Sequence, residues 1–221
     1  MNYILEVKLL SEAIFGSGNS VSGVVDQEVL HDDLGFPFMK GKTVKGKFKE
    51  EFAHILWCLS GGKRGMEDYL VKEFFGGPDI EAKALLSFSD LCMDKYLREL
   101  FDRKVQEHMI TPEEILNAVT EIRTFTAIDY NTGVADKGTL RKVRMIRKGF
   151  RFFSQISVSR NLESWERDLL CASALSLKYL GTMETRGKGK VSCRLLDEKF
   201  NPITLDCNKS WEKLRNEISV L

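Results

Sequence analysis

The chain has 221 residues, 43% of them hydrophobic and 29% charged, with a formal net charge of +1. That balance suits one globular domain with a proper core and excludes a disordered or low-complexity chain, while no apolar stretch approaches the length of a membrane span. Five cysteines without a C-x-x-C pair and three scattered histidines exclude a zinc ribbon or disulfide frame and point to reduced thiols in a cytoplasm, and Glu6 and Lys8 interrupt the N-terminal apolar run that a signal peptide would need.

Residues 3–10 alternate, with Leu5, Val7 and Leu9 on one face and Glu6 and Lys8 on the other, as in a half-buried strand. A loop rich in glycine and serine, "FGSGNSVSG", follows. From Thr43 to Ser60, Val44, Phe48, Phe52, Ile55 and Leu59 recur at helical spacing, and Gly61-Gly62 stops the helix. "ALLSFSD" predicts a second strand with Ala84, Leu86 and Phe88 inward. A helix near 94–108 comes next, then a short one opened by "TPEE", where Thr111 caps, Pro112 sits in the first turn and Glu114 closes a capping box. Two extended arms around a glycine-containing polar tip lead into a strand at 150–158. A helix over about 162–180, with Leu170, Ala174, Leu177 and Leu180 inward, precedes the strand "KVSCRLL". The tail offers a turn at Asn201-Pro202 and a final helix carrying Trp211, Leu214 and Ile218.

Strand, helix, strand, strand, helix, strand is the ferredoxin-like, RRM-like βαββαβ plan of an α+β protein. The prediction is a single domain over 1–221, with its core at about 1–90 and 143–197. A large helical and thumb segment is inserted at about 91–142, and a tail occupies 198–221. No repeat or second domain interrupts it.

Two stretches carry unbalanced charge. Leu34 to Lys49 holds five lysines (40, 42, 45, 47, 49) and no acid; Gly138 to Leu162 holds seven basic residues (Arg141, Lys142, Arg144, Arg147, Lys148, Arg151, Arg160) and again no acid. In a near-neutral chain, two such runs favour local contact with an anion over two merely solvated faces. The first includes "GFPFMKGKTVKG", which ends like a phosphate-binding P-loop. Five residues instead of four separate Gly35 from Gly41, and Phe36-Pro37 stands where the nest should open, so nucleotide binding of that kind is rejected. Near the C-terminus, "LGTMETRGKGKV" interleaves three glycines with Arg186, Lys188 and Lys190 just before a strand, which lets backbone pass close to an anion. In a ferredoxin-like fold this loop emerges beside the first strand and the start of the first helix, so the basic segments are expected to converge.

With these residues the chain resembles the RAMP superfamily of CRISPR-associated proteins, most closely the backbone subunits of type III (Csm/Cmr) effector complexes. The resemblance rests on three blocks in order: "GSGNSVSGVVDQEVLHDDLGFPFMKGKTVKGKFKEEF", the thumb-like "RTFTAIDYNTGVADKGTLRKVRMIRKGFRF", and the glycine loop "GTMETRGKGKV". It covers nearly the whole chain. Lys40 stands where the family often has proline, Lys42-Thr43 replaces a Ser-Ser pair and Lys49 replaces arginine, all of which keep or raise positive charge.

The resemblance implies that a guide crRNA is held by its phosphates at Lys40, Lys42, Thr43, Lys45, Lys49, Arg141, Arg144, Arg147, Arg186, Gly187, Lys188 and Lys190. Target RNA and other effector subunits, including further RAMP copies, are the implied partners, and no membrane is involved. Asp26 in "GVVDQEV" matches the family residue needed to cut target RNA, and a lone loop carboxylate could help bind Mg²⁺ there; a turn-forming aspartate is the plainer alternative. Glu28, two residues on, could share its face. Asp32-Asp33 beside His31 reads as a turn before it reads as a metal site. In the family the thumb reaches over the guide–target duplex of an adjacent subunit, and Phe125, Thr126 and Ile128 could make its apolar wedge, or else a subunit contact. A non-cleaving scaffold and a metal-independent crRNA-processing ribonuclease stay open as alternatives; the latter needs a general base, and no histidine lies in the glycine loops.

Overall fold

The computed structural model describes residues 2–61, 64–77, 84–136 and 138–205, together with Glu212, Arg215 and Asn216. Strand β1 (Asn2–Leu9) buries Tyr3, Leu5, Val7 and Leu9 on one face, as alternation dictates. Helix α1 (Gly41–Ser60) lays Val44, Phe48, Phe52 and Leu56 against that core; Ile55 and Leu59 flank the stripe. Gly61, at φ 65°, closes it with its N–H on the Trp57 carbonyl. The sequence pattern stops there, yet a second helix, α2 (Arg64–Phe75), follows and buries Leu70, Phe74 and Phe75. Phe52 meets Phe74 and Phe75 at ring-centroid distances of 5.0 and 5.1 Å, and burying each such ring contributes about 1.5–3 kcal/mol.

Strands β2 (Leu86–Phe88) and β3 (Cys92–Met93) both pair with β6 (Arg151–Val158), which pairs with β1, which pairs with β7 (Val191–Leu196). The order β2-β6-β1-β7, antiparallel throughout, is that of a ferredoxin-like sheet. The expected second strand is broken. From Phe88 to Cys92 the chain takes four steps while its partner takes three, from Ile156 to Phe153, so one extra residue is accommodated as a bulge. The bulge has a use: it turns Asp90 out so that its Oδ1 accepts the Gly41 N–H at 2.7 Å, and it pairs Leu91 with Met39. This satisfies an otherwise orphaned donor and starts α1 at Gly41, two residues before the expected Thr43. A Cβ at Gly41 would stand 2.4 Å from the Phe88 carbonyl oxygen, which is why a glycine opens this helix.

Helix α3 (Lys95–Gln106) is capped by Asp94, and α4 (Pro112–Val119) by the expected Thr111–Glu114 box. Strands β4 (Thr120–Phe125) and β5 (Arg141–Ile146) are the two extended arms, paired in register from Thr120↔Ile146 to Phe125↔Arg141. The hairpin therefore runs through Ile146, past the expected limit of 142. Its return arm is also core: Val143, Met145 and Ile146 are buried, and Ile146 exchanges backbone hydrogen bonds with Ala13.

Helix α5 (Ser164–Ser176) is shorter than expected. Leu177 leaves the helical region at ψ 109°, yet Leu177 and Leu180 remain buried because the chain continues extended and Tyr179 pairs with Lys190. After β7 a tight turn at 197–201 brings Pro202 opposite Leu196. The expected final helix with Trp211, Leu214 and Ile218 lies outside the described residues. No helix of the described residues is long and apolar enough to cross a membrane.

Candidate nucleic-acid interface

Because Val44, Phe48, Phe52 and Leu56 face the core, Lys42, Lys45 and Lys49 share another side of α1. Lys40 precedes the helix and is exposed, as are Lys42 and Thr43; Lys45 and Lys49 are half-buried. Among the described residues, none of Lys40, Lys42, Lys45 and Lys49 pairs with a carboxylate. Only Lys47 does, with Glu50 at 3.3 Å and Glu184 at 3.2 Å. Burial, and then the charge of Lys49, push the Lys45 ammonium below its ordinary value. A helix face with uncompensated positive charge is suited to an anion supplied from outside.

The glycine loop lies against another side of the same helix end, where its Glu184 meets Lys47 at 3.2 Å. It is stitched to the segment after β1, with Thr182 N–H on the Ile14 carbonyl at 3.1 Å, Gly189 N–H on the Glu12 carbonyl at 2.7 Å and Lys190 N–H on Ser11 Oγ at 2.9 Å. Gly189, at φ 72°, runs so close to Leu180 that a Cβ would sit 2.1 Å from its carbonyl oxygen. Arg186, Gly187 and Lys190 are exposed. A cavity of about 230 Å³ lined by Phe15, Ser17, Lys40, Thr43, Lys47 and Gly181 joins the start of α1 to the glycine loop and the segment after β1, while Lys42, Lys45 and the basic run at 138–162 lie outside it.

Asp26 belongs to a different neighbour. Its N–H donates to the Lys142 carbonyl at 2.8 Å, and its Oδ2 accepts the Lys142 N–H at 2.7 Å. Arg144 N–H donates to the Gln27 carbonyl at 3.0 Å, and Gln27 pairs with Val143 in parallel, so residues 26–28 lie along the return arm of the hairpin. The Asp26 carboxylate is exposed and lines an open hollow of about 560 Å³ with Asn19, Gly138, Arg141 and Met183. No group of three or more His, Cys, Asp or Glu gathers as a metal site among the described residues. A cation at Asp26 would take one protein carboxylate and complete its shell from water and phosphate oxygens, a donor set that fits a loosely held Mg²⁺.

Several expected contacts are spent inside the protein. Arg144 is buried, not phosphate-facing: its Nε meets Glu28 at 2.9 Å, and its Nη1 donates to Asn117 at 2.8 Å and Thr120 at 3.2 Å. Glu28 is correspondingly buried and does not stand beside Asp26 as a second exposed carboxylate. Lys188 is paired with Glu12 at 2.5 Å, and the half-exposed Arg147 reaches Glu121 at 3.4 Å. Arg141 stays exposed. Asp32 forms the expected turn, accepting the N–H groups of Leu34 and Phe36, while Arg98 closes on its other oxygen at 2.5 Å. In the hairpin, Phe125 is half-buried against the core, which removes it from the wedge, and Thr126 shares a hydrogen bond with Thr139 at 3.1 Å. Ile128 is exposed, together with Tyr130, Val134 and Leu140, which the sequence reading passed over; Tyr130, fully solvated in a polar tip, was the visible signal.

The RAMP superfamily model matches residues 6–192. No curated protein matches the chain in sequence. Among solved structures it is similar to a chain of the type III-B Cmr-beta complex in the apo state, with a TM-score of 0.63 and 15% identity over 90% of this chain and 98% of that one. The same complex bound to cognate target RNA gives a TM-score of 0.61 and 16% identity over 88% and 97%. A type IV-B CRISPR complex gives 0.58 and 12% over 93% and 94%. At such identities the structures speak for the fold, and the family match, spanning most of the chain, speaks for the lineage. The ferredoxin-like sheet, the inserted hairpin and the glycine loop stitched to the first strand are those of a chain that belongs to the RAMP superfamily.

Proposed function

We propose that this RAMP protein is a backbone subunit of a type III CRISPR effector complex that binds crRNA and cleaves the target RNA paired with it. The observation that carries the reading is the set of lysines at the start of α1, Lys40, Lys42, Lys45 and Lys49, with no carboxylate partner among the described residues, on a helix end that also meets the glycine loop through Lys47 and Glu184. Phosphates supply the missing counter-charge, so the protein grips the guide by its backbone and leaves sequence choice to base pairing. Further RAMP copies and other effector subunits extend the groove, in a cytoplasmic particle.

Asp26 is the cleavage residue in this reading. Its backbone and Oδ2 are fixed by Lys142, and the exposed side chain lines the hollow with Arg141. Asp26 would hold a Mg²⁺ together with RNA oxygens, and the ion would supply Lewis-acid polarisation of a phosphate when bound. The chain itself positions the strand: Arg141 and Lys142 are exposed cations on the same arm, placed to hold the phosphates flanking the scissile one. The target 2′-hydroxyl attacks the adjacent phosphorus, the 5′-oxygen leaves, and the products end in a 2′,3′-cyclic phosphate and a 5′-hydroxyl. One observation favours the non-cleaving scaffold instead: among the described residues Asp26 is the sole carboxylate lining its hollow, and one of its oxygens is already engaged.

Target-RNA cleavage by the reconstituted complex, wild type against Asp26→Ala, tests the two. Regularly spaced products that vanish in the variant while crRNA and target binding persist establish cleavage at Asp26. Unchanged products move the chemistry to another subunit and leave this chain a scaffold. Loss of cleavage in EDTA separates either from a metal-independent processing ribonuclease.

A further inference from the structure

Glu12, three residues past the end of β1, is the anion at which the glycine loop and the hairpin meet. One oxygen accepts from Arg123 of β4 at 2.8 Å, and the other from Lys188 of the glycine loop at 2.5 Å. Arg123 also meets Glu121 at 2.7 Å, and Glu121 reaches Arg147 at 3.4 Å, so an ion-pair chain runs from the glycine loop to both arms of the hairpin. The Glu12 side chain is 19% exposed and those of Lys188 and Arg123 are 23% and 52% exposed, so an incoming strand can reach the cations without unfolding anything. A hydrogen bond shared with the Glu121 carboxyl, and then those from Lys188 and Arg123, hold the Glu12 carboxyl at about 2, well below its ordinary value, so it is ionised throughout the physiological range. A carboxylate bridging a loop lysine and a hairpin arginine presents the same charge and acceptor geometry as a phosphate oxygen pair.

We propose that Glu12 is an internal stand-in for an RNA phosphate. It occupies Lys188 and Arg123 while the surface is empty, and a backbone phosphate of the bound strand exchanges with it. Glu12 thereby weakens RNA binding, lowers its salt dependence, and ties the orientation of the hairpin to occupancy of the glycine loop. This rests on the RNA-binding reading above, and goes beyond it in naming the residue that sets the affinity.

The test is binding of a fluorescently labelled single-stranded RNA of guide length to the full chain, measured by anisotropy across a salt series. Glu12→Gln is expected to bind on the order of fivefold tighter at low salt, the size of one or two exposed ion pairs released. The plot of log affinity against log salt is expected to steepen by about 0.7 for each cation freed to meet a phosphate. Lys188→Met in the Glu12→Gln background removes most of that gain. Equal or weaker binding by a Glu12→Gln protein that melts as a folded domain, with an unchanged slope, overturns the proposal and makes Glu12 a structural anchor. Should Glu12→Gln fail to fold, Glu12→Ala takes its place: the proposal requires tighter binding and a steeper slope, and an unchanged slope in the folded variant overturns it. A wild-type chain that binds no RNA at all brings down the functional reading itself, which is a different result from RNA binding that Glu12 does not modulate.

Discussion

The two acid-free stretches of this sequence have opposite fates. Residues 34–49 keep four of their five lysines without a carboxylate partner among the described residues. Residues 138–162 are largely neutralised by acids from distant parts of the chain: Arg144 by Glu28, Arg147 by Glu121, Arg151 by Glu6, and Arg160 by Glu73 and Glu166. Linear charge density is the same kind of signal in both. What separates them is the element that carries them. A helix face turned away from the core brings its lysines to solvent together, while a strand threaded through the middle of the molecule meets whatever acids its neighbours present. Glu6 illustrates the second case, taking both Arg151 and Arg194 across the sheet.

The comparison breaks most visibly at its extremes. Arg144→Ala leaves Glu28 buried and unpaired, and is expected to cost about 3–5 kcal/mol, on the order of 10 °C in a thermal melt. Replacement of Lys42, Lys45 and Lys49 by alanine is expected to do the reverse. Stability should move by no more than about 0.5 kcal/mol each, while the salt slope of RNA binding falls by about 2. If the triple variant destabilises and Arg144→Ala does not, the assignment of structural and binding roles is inverted. Gly41→Ala tests the place where the binding helix is fixed to the sheet. A methyl 2.4 Å from the Phe88 carbonyl oxygen is expected to destabilise by about 1–3 kcal/mol, read from a denaturant midpoint, and to weaken RNA binding by misplacing the lysines behind it.

The smallest effect is in pH. The folded Glu12 carboxyl, held by Glu121 and then by Lys188 and Arg123, sits at about 2 against an ordinary 4.5, so these contacts stabilise the protein above about pH 4.5, and that stabilisation is lost as pH falls towards 2. Melts at pH 3 and pH 6 should differ less for Glu12→Gln than for wild type. An identical difference in both proteins would show that Glu12 contributes nothing to the acid limb.

Much of the fold was legible because it is written in local periodicity. Alternation in β1, β6 and β7, the four-residue spacing of Val44, Phe48 and Phe52, and the Thr111–Glu114 capping box each follow from interactions within a few residues. Helix α2 was missed because Gly61 is a true stop signal, and nothing local says that the chain restarts three residues later. The bulge after Phe88 was missed for a related reason: its register is set by β6, some 65 residues away.

The site divides the same way. Residue type and order sufficed to mark the lysine face, the glycine loop and Asp26 as candidates, since each is a local pattern. Only the tertiary structure decided which charges remain to act. Glu28 and Arg144 stand 116 residues apart and Glu12 and Lys188 stand 176 apart, and both pairs form because the sheet order brings those strands and loops together. A sequence fixes which groups are ionisable; the fold decides which of them already face an opposite charge, because Coulomb attraction depends on distance in space and not along the chain.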